Sequence, residues 1–304
     1  MGNDMEIDMI KRLPIPISGL ILAILSLGNL LQVYNSNLRL ICGIVGCLLI
    51  IMLVLKLILY SDEVKSDLSN PIILSNSGTF SMALMVLSTY INSFNSDLAL
   101  GVWILGVALH ILLIIYFTYH YIVYNFDINE VYPSYWIVFV GITMGAITAH
   151  VHGLFEIAFI FFIFGFLAML ITLPLVIYRY LKYPNEKDSN KPLICIFTAL
   201  MSILIVGYTN SINYISNEFL FILYCFAFVF FLFAFCKVFE YRNLDFYPSF
   251  SAFTFPFVIT AVASTEISKI FNMHVFNHII LIQTIIAVIL VMYVGYRYLK
   301  FLLS

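Results

Sequence analysis

Between Phe219 and Phe235 the chain carries no charged residue and is built almost entirely from Phe, Leu, Ala and Val. A run of that length and apolarity constrains the fold more than any other feature, because roughly 20 apolar residues of helix cross the ~30 Å hydrocarbon core of a bilayer. Such stretches recur from one end to the other, near 14–34, 38–60, 71–94, 98–124, 133–152, 154–180, 192–214, 219–241, 248–271 and 276–302. Each is expected to be helical, since lipid offers no partner to an open backbone N–H or C=O. Transmembrane strands would alternate apolar and polar residues, and these runs do not. The expected fold is an all-α integral membrane protein, a single transmembrane domain over residues 1–304 with ten helices. Only 10% of the residues are charged, against about 25% in a soluble domain, so a water-exposed surface is out of reach.

The net charge of −2 points to no nucleic-acid partner. The N-terminus, Met1 to Asp8, is acidic and lacks the basic region and cleavage site of a secretory signal, so the first apolar stretch is expected to remain as a helix. Five cysteines, Cys42, Cys47, Cys195, Cys225 and Cys236, lie scattered inside apolar stretches without a CxxC pair. They read as small packing residues, and no metal site or cofactor is expected.

Orientation follows from the basic residues. With both termini on the cytoplasmic side of a cell membrane, 12 of the 14 Lys and Arg fall inside, leaving Arg39 and Lys269 outside. The inner loop near 125–132, with Asp127 and Glu130 and no basic residue, breaks the pattern.

An internal repeat runs through the ten spans. Each odd span opens with a proline, at 14, 71, 133, 192 and 248, at intervals of 57, 62, 59 and 56 residues. Proline suits a first helical turn, where its missing N–H would have no partner anyway. At the inner ends of the even spans a basic or titratable residue precedes an aromatic one by four positions: Lys56/Tyr60, His120/Tyr124, Arg179/Tyr183, Lys237/Tyr241 and Arg297/Phe301. The shared spacing predicts five copies of a helical hairpin.

Polarity separates the two members of each hairpin. The odd spans hold 29 Ser, Thr, Asn and Gln, the even spans five. Polar groups are costly against lipid and turn toward protein or water. The odd helices are therefore expected to form an inner ring around a pore and the even helices an outer ring. Candidate pore-lining residues are Ser18, Asn76, Thr79, Thr143, Ser202 and Thr254, although Ser and Thr also join helix to helix in membranes. No carboxylate falls near the middle of a span, where a proton-coupled carrier usually needs one: Asp97 and Glu218 border outer loops, Glu156 and Glu266 lie near outer helix ends and Glu240 at an inner end. His110 in the fourth span reads as a hydrogen-bonded packing residue. His150 and His152 end the fifth span at the outer mouth, where they either meet an anion or are simply solvated. In the ninth span Pro256 removes a backbone hydrogen bond and kinks the helix, and Phe255 beside it is either a plug or one of 29 phenylalanines filling space.

The sequence resembles the tellurite-resistance/dicarboxylate transporter family, which includes the plant guard-cell slow anion channels. The matching stretches are Leu13-Pro14-Ile15-Pro16-Ile17-Ser18-Gly19-Leu20, Tyr132-Pro133-Ser134 and, most specifically, Tyr247-Pro248-Ser249-Phe250-Ser251-Ala252-Phe253-Thr254-Phe255-Pro256. The resemblance implies a homotrimer in which each protomer has its own pore lined by the five odd helices, occluded by a phenylalanine that corresponds to Phe255. It implies small anions as substrates: nitrate or chloride in the channels, dicarboxylates, sulfite or tellurite-related oxyanions in other members. Relatives carry kinking prolines in several odd helices. Here the corresponding places hold Gly78, His150 and Leu200, which leads to an expectation of straighter third, fifth and seventh helices.

Two functional readings follow, a passive anion channel gated by Phe255 and a secondary carrier or exporter of C4-dicarboxylates or oxyanions. A membrane-embedded enzyme ranks below both, since the sequence contains no HExxH, no GxSxG and no paired intramembrane carboxylates.

Overall fold

A computed structural model describes residues 9–212, 214–272 and 275–304, with residue 275 described in its backbone only. The acidic N-terminus and Asn213, counted above among the polar residues of the seventh span, lie outside these residues.

The described residues form helices and turns and no strand. Among the described residues, eight helices are long and apolar enough to cross a membrane: Ser36–Leu59, Pro71–Ile91, Ser96–Tyr124, Phe155–Lys182, Lys191–Ser211, Asn217–Tyr241, Pro248–Phe271 and Phe276–Leu303. The first expected span is a shorter apolar helix, Ile17–Leu31. The fifth consists of two short helices, Ser134–Phe139 and Thr143–Ala149, followed by a turn at His150–His152.

Local chemistry sets the helix starts. Asn35, Asn70, Asn95 and Ser216 each present a side-chain oxygen to backbone N–H groups of the following turn, satisfying donors that have no partner within the helix. Asn70 does so directly before Pro71, so the cap and the proline act on the same turn. Pro192 and Pro248 open tighter 3-10 stretches, Lys191–Ile196 and Pro248–Phe253, that lead into the α-helices Phe197–Ser211 and Phe255–Phe271.

Burial separates the two classes of helix. In the third, seventh and ninth spans, between 67% and 89% of the apolar window is buried within the protein; in the five even spans the share is between 22% and 33%. The even helices leave large side chains such as Ile44, Leu112, Ile171, Phe226 and Met292 exposed. The odd segments pack against one another in cyclic order. Ile17–Leu31 meets Pro71–Ile91, which meets both halves of the fifth span; Thr143–Ala149 meets Phe197–Ser211, which meets Phe255–Phe271, and that helix returns to Ile17–Leu31.

Hydroxyls join neighbours in this cycle. Ser18 Oγ lies 2.7 Å from Thr79 Oγ1. Thr260 Oγ1 lies 3.1 Å from Thr198 Oγ1 and 3.0 Å from Ser202 Oγ. Thr254 Oγ1 approaches Gly19 O at 3.4 Å, linking the ninth span to the first.

The repeat at the basic ends has a physical meaning that differs from the spacing seen in the sequence. Lys237 does sit over Tyr241, 5.5 Å from its ring centroid. What recurs more widely is a donor on an even helix that reaches the backbone just ahead of the odd helix preceding it. Lys56 Nζ donates to Lys11 O, Tyr121 Oη to Ser69 O, Arg179 Nε to Asn129 O and Arg297 Nη2 to Leu244 O. In the second hairpin Tyr121 takes the role, one position after the expected His120. Arg179 is 3% exposed and also binds Tyr132 Oη at 2.7 Å and the carboxylate of Glu186. A buried guanidinium with that many partners is costly to disturb, because removal of Glu186 would leave its charge unpaired in a dry setting.

Candidate functional site

At the centre of the cyclic arrangement lies a cavity of about 50 Å³, room for a few water molecules. All five odd segments contribute to its wall: Gly19 from the first, Asn76, Thr79 and Met82 from the third, Trp136, Val140 and Gly141 from the fifth, Ala199, Leu200 and Ile203 from the seventh, and Ser251, Phe255 and Pro256 from the ninth. No side chain in that wall is ionisable, and most are apolar.

Phe255 is the first residue of the Phe255–Phe271 helix and is 6% exposed. It follows a break at Thr254, whose φ and ψ of −108° and −85° belong to neither adjoining helix. Thr254 Oγ1 donates to Ser251 O at 2.6 Å across the break. Pro256 falls in the first turn of the new helix, where proline is tolerated. The expected kink is therefore a change from 3-10 to α-helix, with Phe255 placed on the cavity at the junction.

Two of the six polar candidates, Asn76 and Thr79, line the cavity. Asn76 Nδ2 donates to Ile72 O at 2.9 Å and Thr79 Oγ1 to Asn76 O at 2.7 Å. Ser18, Ser202 and Thr254 stand one layer back, in the hydroxyl contacts that join neighbouring segments. Thr143 is packed between the sixth and seventh spans, with its side chain against the Cα positions of Gly165 and Gly207.

His150 is exposed, with Nδ1 2.7 Å from Ile147 O. His152 is anchored, its Nε2 3.0 Å from Ser88 Oγ and its ring 5.7 Å from that of Trp103. Neither lines the central cavity. No group of three or more His, Cys, Asp or Glu among the described residues has the arrangement of a metal site.

The expectation of a straighter fifth helix is corrected by the structure. That span breaks at residues 140–142, beside the cavity and ten residues before His150. Trp136 O accepts from both Val140 N and Gly141 N, at 2.8 and 2.9 Å, and Thr143 N, Met144 N and Gly145 N each bond three residues back rather than four. The sequence carries no proline there. The side chain that enters the break is His110, 0% exposed, with Nε2 3.1 Å from Val138 O and Nδ1 2.7 Å from Ser81 Oγ. It is the hydrogen-bonded packing residue anticipated from the sequence, in a place the sequence did not indicate.

Residues 13–299 match the sequence profile of the SLAC1 family, described as voltage-dependent anion channels. The chain belongs to that family. A comparison with curated proteins finds no match. SLAC1 membership, together with the apolar helices, makes this a multi-pass membrane protein of an anion channel and transporter family.

Two of the larger cavities flank the SLAC1-family cycle. One, of about 330 Å³, opens among Pro14, Asp67, Asn70, Asn190, Tyr247 and Ser249 and shares Asn76 with the central cavity. Its rim is tied down by Ser249 Oγ donating to Ser189 O at 2.5 Å. The other, of about 480 Å³, lies among Asn29, Gln32, Thr265, Glu266, Lys269 and Asn277, where Glu266 and Lys269 form a 2.7 Å ion pair.

Proposed function

We propose that this protein conducts small anions through a pore on the axis of the five odd spans, with Phe255 as its occluding side chain. Counting Ile17–Leu31 and the broken segment 134–149 as membrane crossings gives ten spans, arranged as five hairpins with the even helices toward lipid and both termini on the cytoplasmic side. The observation that carries the reading is the central cavity: five segments from five separated parts of the chain contribute to one narrow space, and Phe255 stands in its wall at a helix junction.

An anion in such a space sheds much of its water, and the wall offers few donors in return. Asn76, Thr79 and Ser251 supply the polar groups, and the remainder is hydrocarbon. Discrimination then rests on dehydration and diameter more than on a charged binding site. Weakly hydrated anions such as nitrate are favoured over chloride on this argument. A narrow apolar constriction also resists wetting, which closes a pore without a moving lid.

The test is anion flux in proteoliposomes, comparing the intact protein with Phe255→Ala. The expected result is low conductance in the intact protein and a large rise for nitrate and chloride once the ring is removed. Silence in both proteins, accompanied by saturable uptake of a dicarboxylate or oxyanion, overturns the channel reading in favour of a carrier.

A further inference from the structure

His110 belongs to the lipid-facing fourth span, yet its ring is fully buried and points away from lipid into the fold. Its two nitrogens engage two different segments of the cycle. Val138 O is a carbonyl and can only accept, so Nε2 carries a proton and donates to it at 3.1 Å. On the neutral ring, Nδ1 then accepts from Ser81 Oγ at 2.7 Å. Ser81 Oγ also lies 2.8 Å from Gly78 O, so its one proton serves either that carbonyl or the imidazole.

The ring edge meets bare backbone on both sides. A methyl group built on Gly141 would stand 3.0 Å from His110 Cε1, and one on Gly78 would stand 3.5 Å away. Gly141 is itself part of the cavity wall. A single layer of peptide therefore separates the imidazole from the cavity.

In a regular helix Val138 O would take its hydrogen bond from the N–H of Ile142. Here His110 occupies that acceptor, while Gly141 N reaches five residues back to Trp136 O. A side chain inserted into the backbone ladder is one of the few recognised causes of a sharp kink. Proline, the commonest cause, is absent from residues 134–152.

We propose that His110 is a positioning residue for the pore: by occupying Val138 O it holds the fifth span broken, and so fixes where Val140 and Gly141 stand in the cavity wall and which anions fit. This rests on the pore reading given above. With the imidazole gone, Ile142 N–H is free to close on Val138 O. The helix then regularises, and Val140 turns about the helix axis relative to the cavity.

The experiment compares His110→Leu and His110→Gln, each in the Phe255→Ala background, by reversal potentials under nitrate/chloride gradients. Leu fills space and makes no hydrogen bond; the Gln amide can donate to Val138 O and accept from Ser81. The expected result is a change in the nitrate-to-chloride permeability ratio of about threefold or more for Leu, with the parental ratio restored by Gln. An unchanged ratio in His110→Leu, with Phe255→Ala itself conducting, overturns the proposal and leaves the pore standing. If Phe255→Ala is silent the pore reading falls by itself, and deuterium uptake over residues 137–145 decides the positioning role. Altered uptake in Leu that returns to the parental level in Gln supports the hold on the break; identical uptake in all three proteins overturns it.

Discussion

The fifth and ninth spans are both broken beside the central cavity, and they are broken by different means. In the ninth, the cause is local: Pro248 opens a 3-10 stretch, Thr254 leaves helical geometry, and Pro256 stands in the first turn of the next helix. In the fifth, a glycine supplies the room and a histidine from another helix, 31 positions before that glycine, supplies the hydrogen bond. A break of the first kind is a property of the segment. A break of the second kind is a property of the packed protein and exists only while the fourth span is in place. The difference should appear as unequal sensitivity to substitution.

The strongest test of that inequality is Gly141→Ala. A methyl there collides with Ile137 O and stands 2.9 Å from Met82 Sδ and 3.0 Å from His110 Cε1. Relief requires the backbone or the imidazole to move, at an expected cost of about 2–3 kcal/mol, measured as a fall in Tm in detergent. A smaller effect is expected from Ser81→Ala, which removes the partner of His110 Nδ1 and leaves the hold on Val138 O intact. Hydrogen bonds between membrane helices average about 0.6 kcal/mol, so a modest Tm decrease with unchanged anion selectivity is the expected outcome. The smallest effect is expected from Pro256→Ala. The proline lies in a first helical turn, where its missing N–H forfeits little, and the change in stability should be about 0.4 kcal/mol, the low end of what a compatible proline contributes by restricting the unfolded chain. Were Pro256→Ala as costly as Gly141→Ala, the distinction between a local and an imported break would collapse.

The same distinction accounts for what the sequence disclosed. The helical spans, the five-fold proline interval and the polarity contrast between odd and even segments are local or periodic properties. They can be seen without knowing which helix touches which. The break after Thr254 was legible because proline announces it. The break at 140–142 was not, because nothing in residues 134–152 marks it apart from Gly141, and glycine has many other uses. Thr143 shows a related limit. Counting hydroxyls locates a polar helix but does not say which way each one faces, and Thr143 turned out to serve a close approach to Gly165 and Gly207. The apolar part of the wall, Val140, Leu200 and Ile203, was hidden for the opposite reason: in a chain that is 63% hydrophobic, one more aliphatic residue carries no signal. The shared spacing at the basic ends was real, yet its contacts run to backbone carbonyls across the hairpin more often than to the aromatic residue four positions on.

Those contacts bear on how the chain is assembled. The tethers from Lys56, Tyr121, Arg179 and Arg297 each close within one hairpin, spanning between 45 and 53 residues. Each needs only its own pair of helices in place. The contact between Thr254 and Gly19 is of another order, joining residues 235 positions apart. These closures are local, while closure of the cycle is not. A chain halted after its eighth helix would carry three latched pairs, and a fourth pair without that latch, around an open seam. The seam runs along the first helix, where Gly19 waits for Ser251, and translation of the last fifth of the message turns a row of hairpins into a closed cylinder.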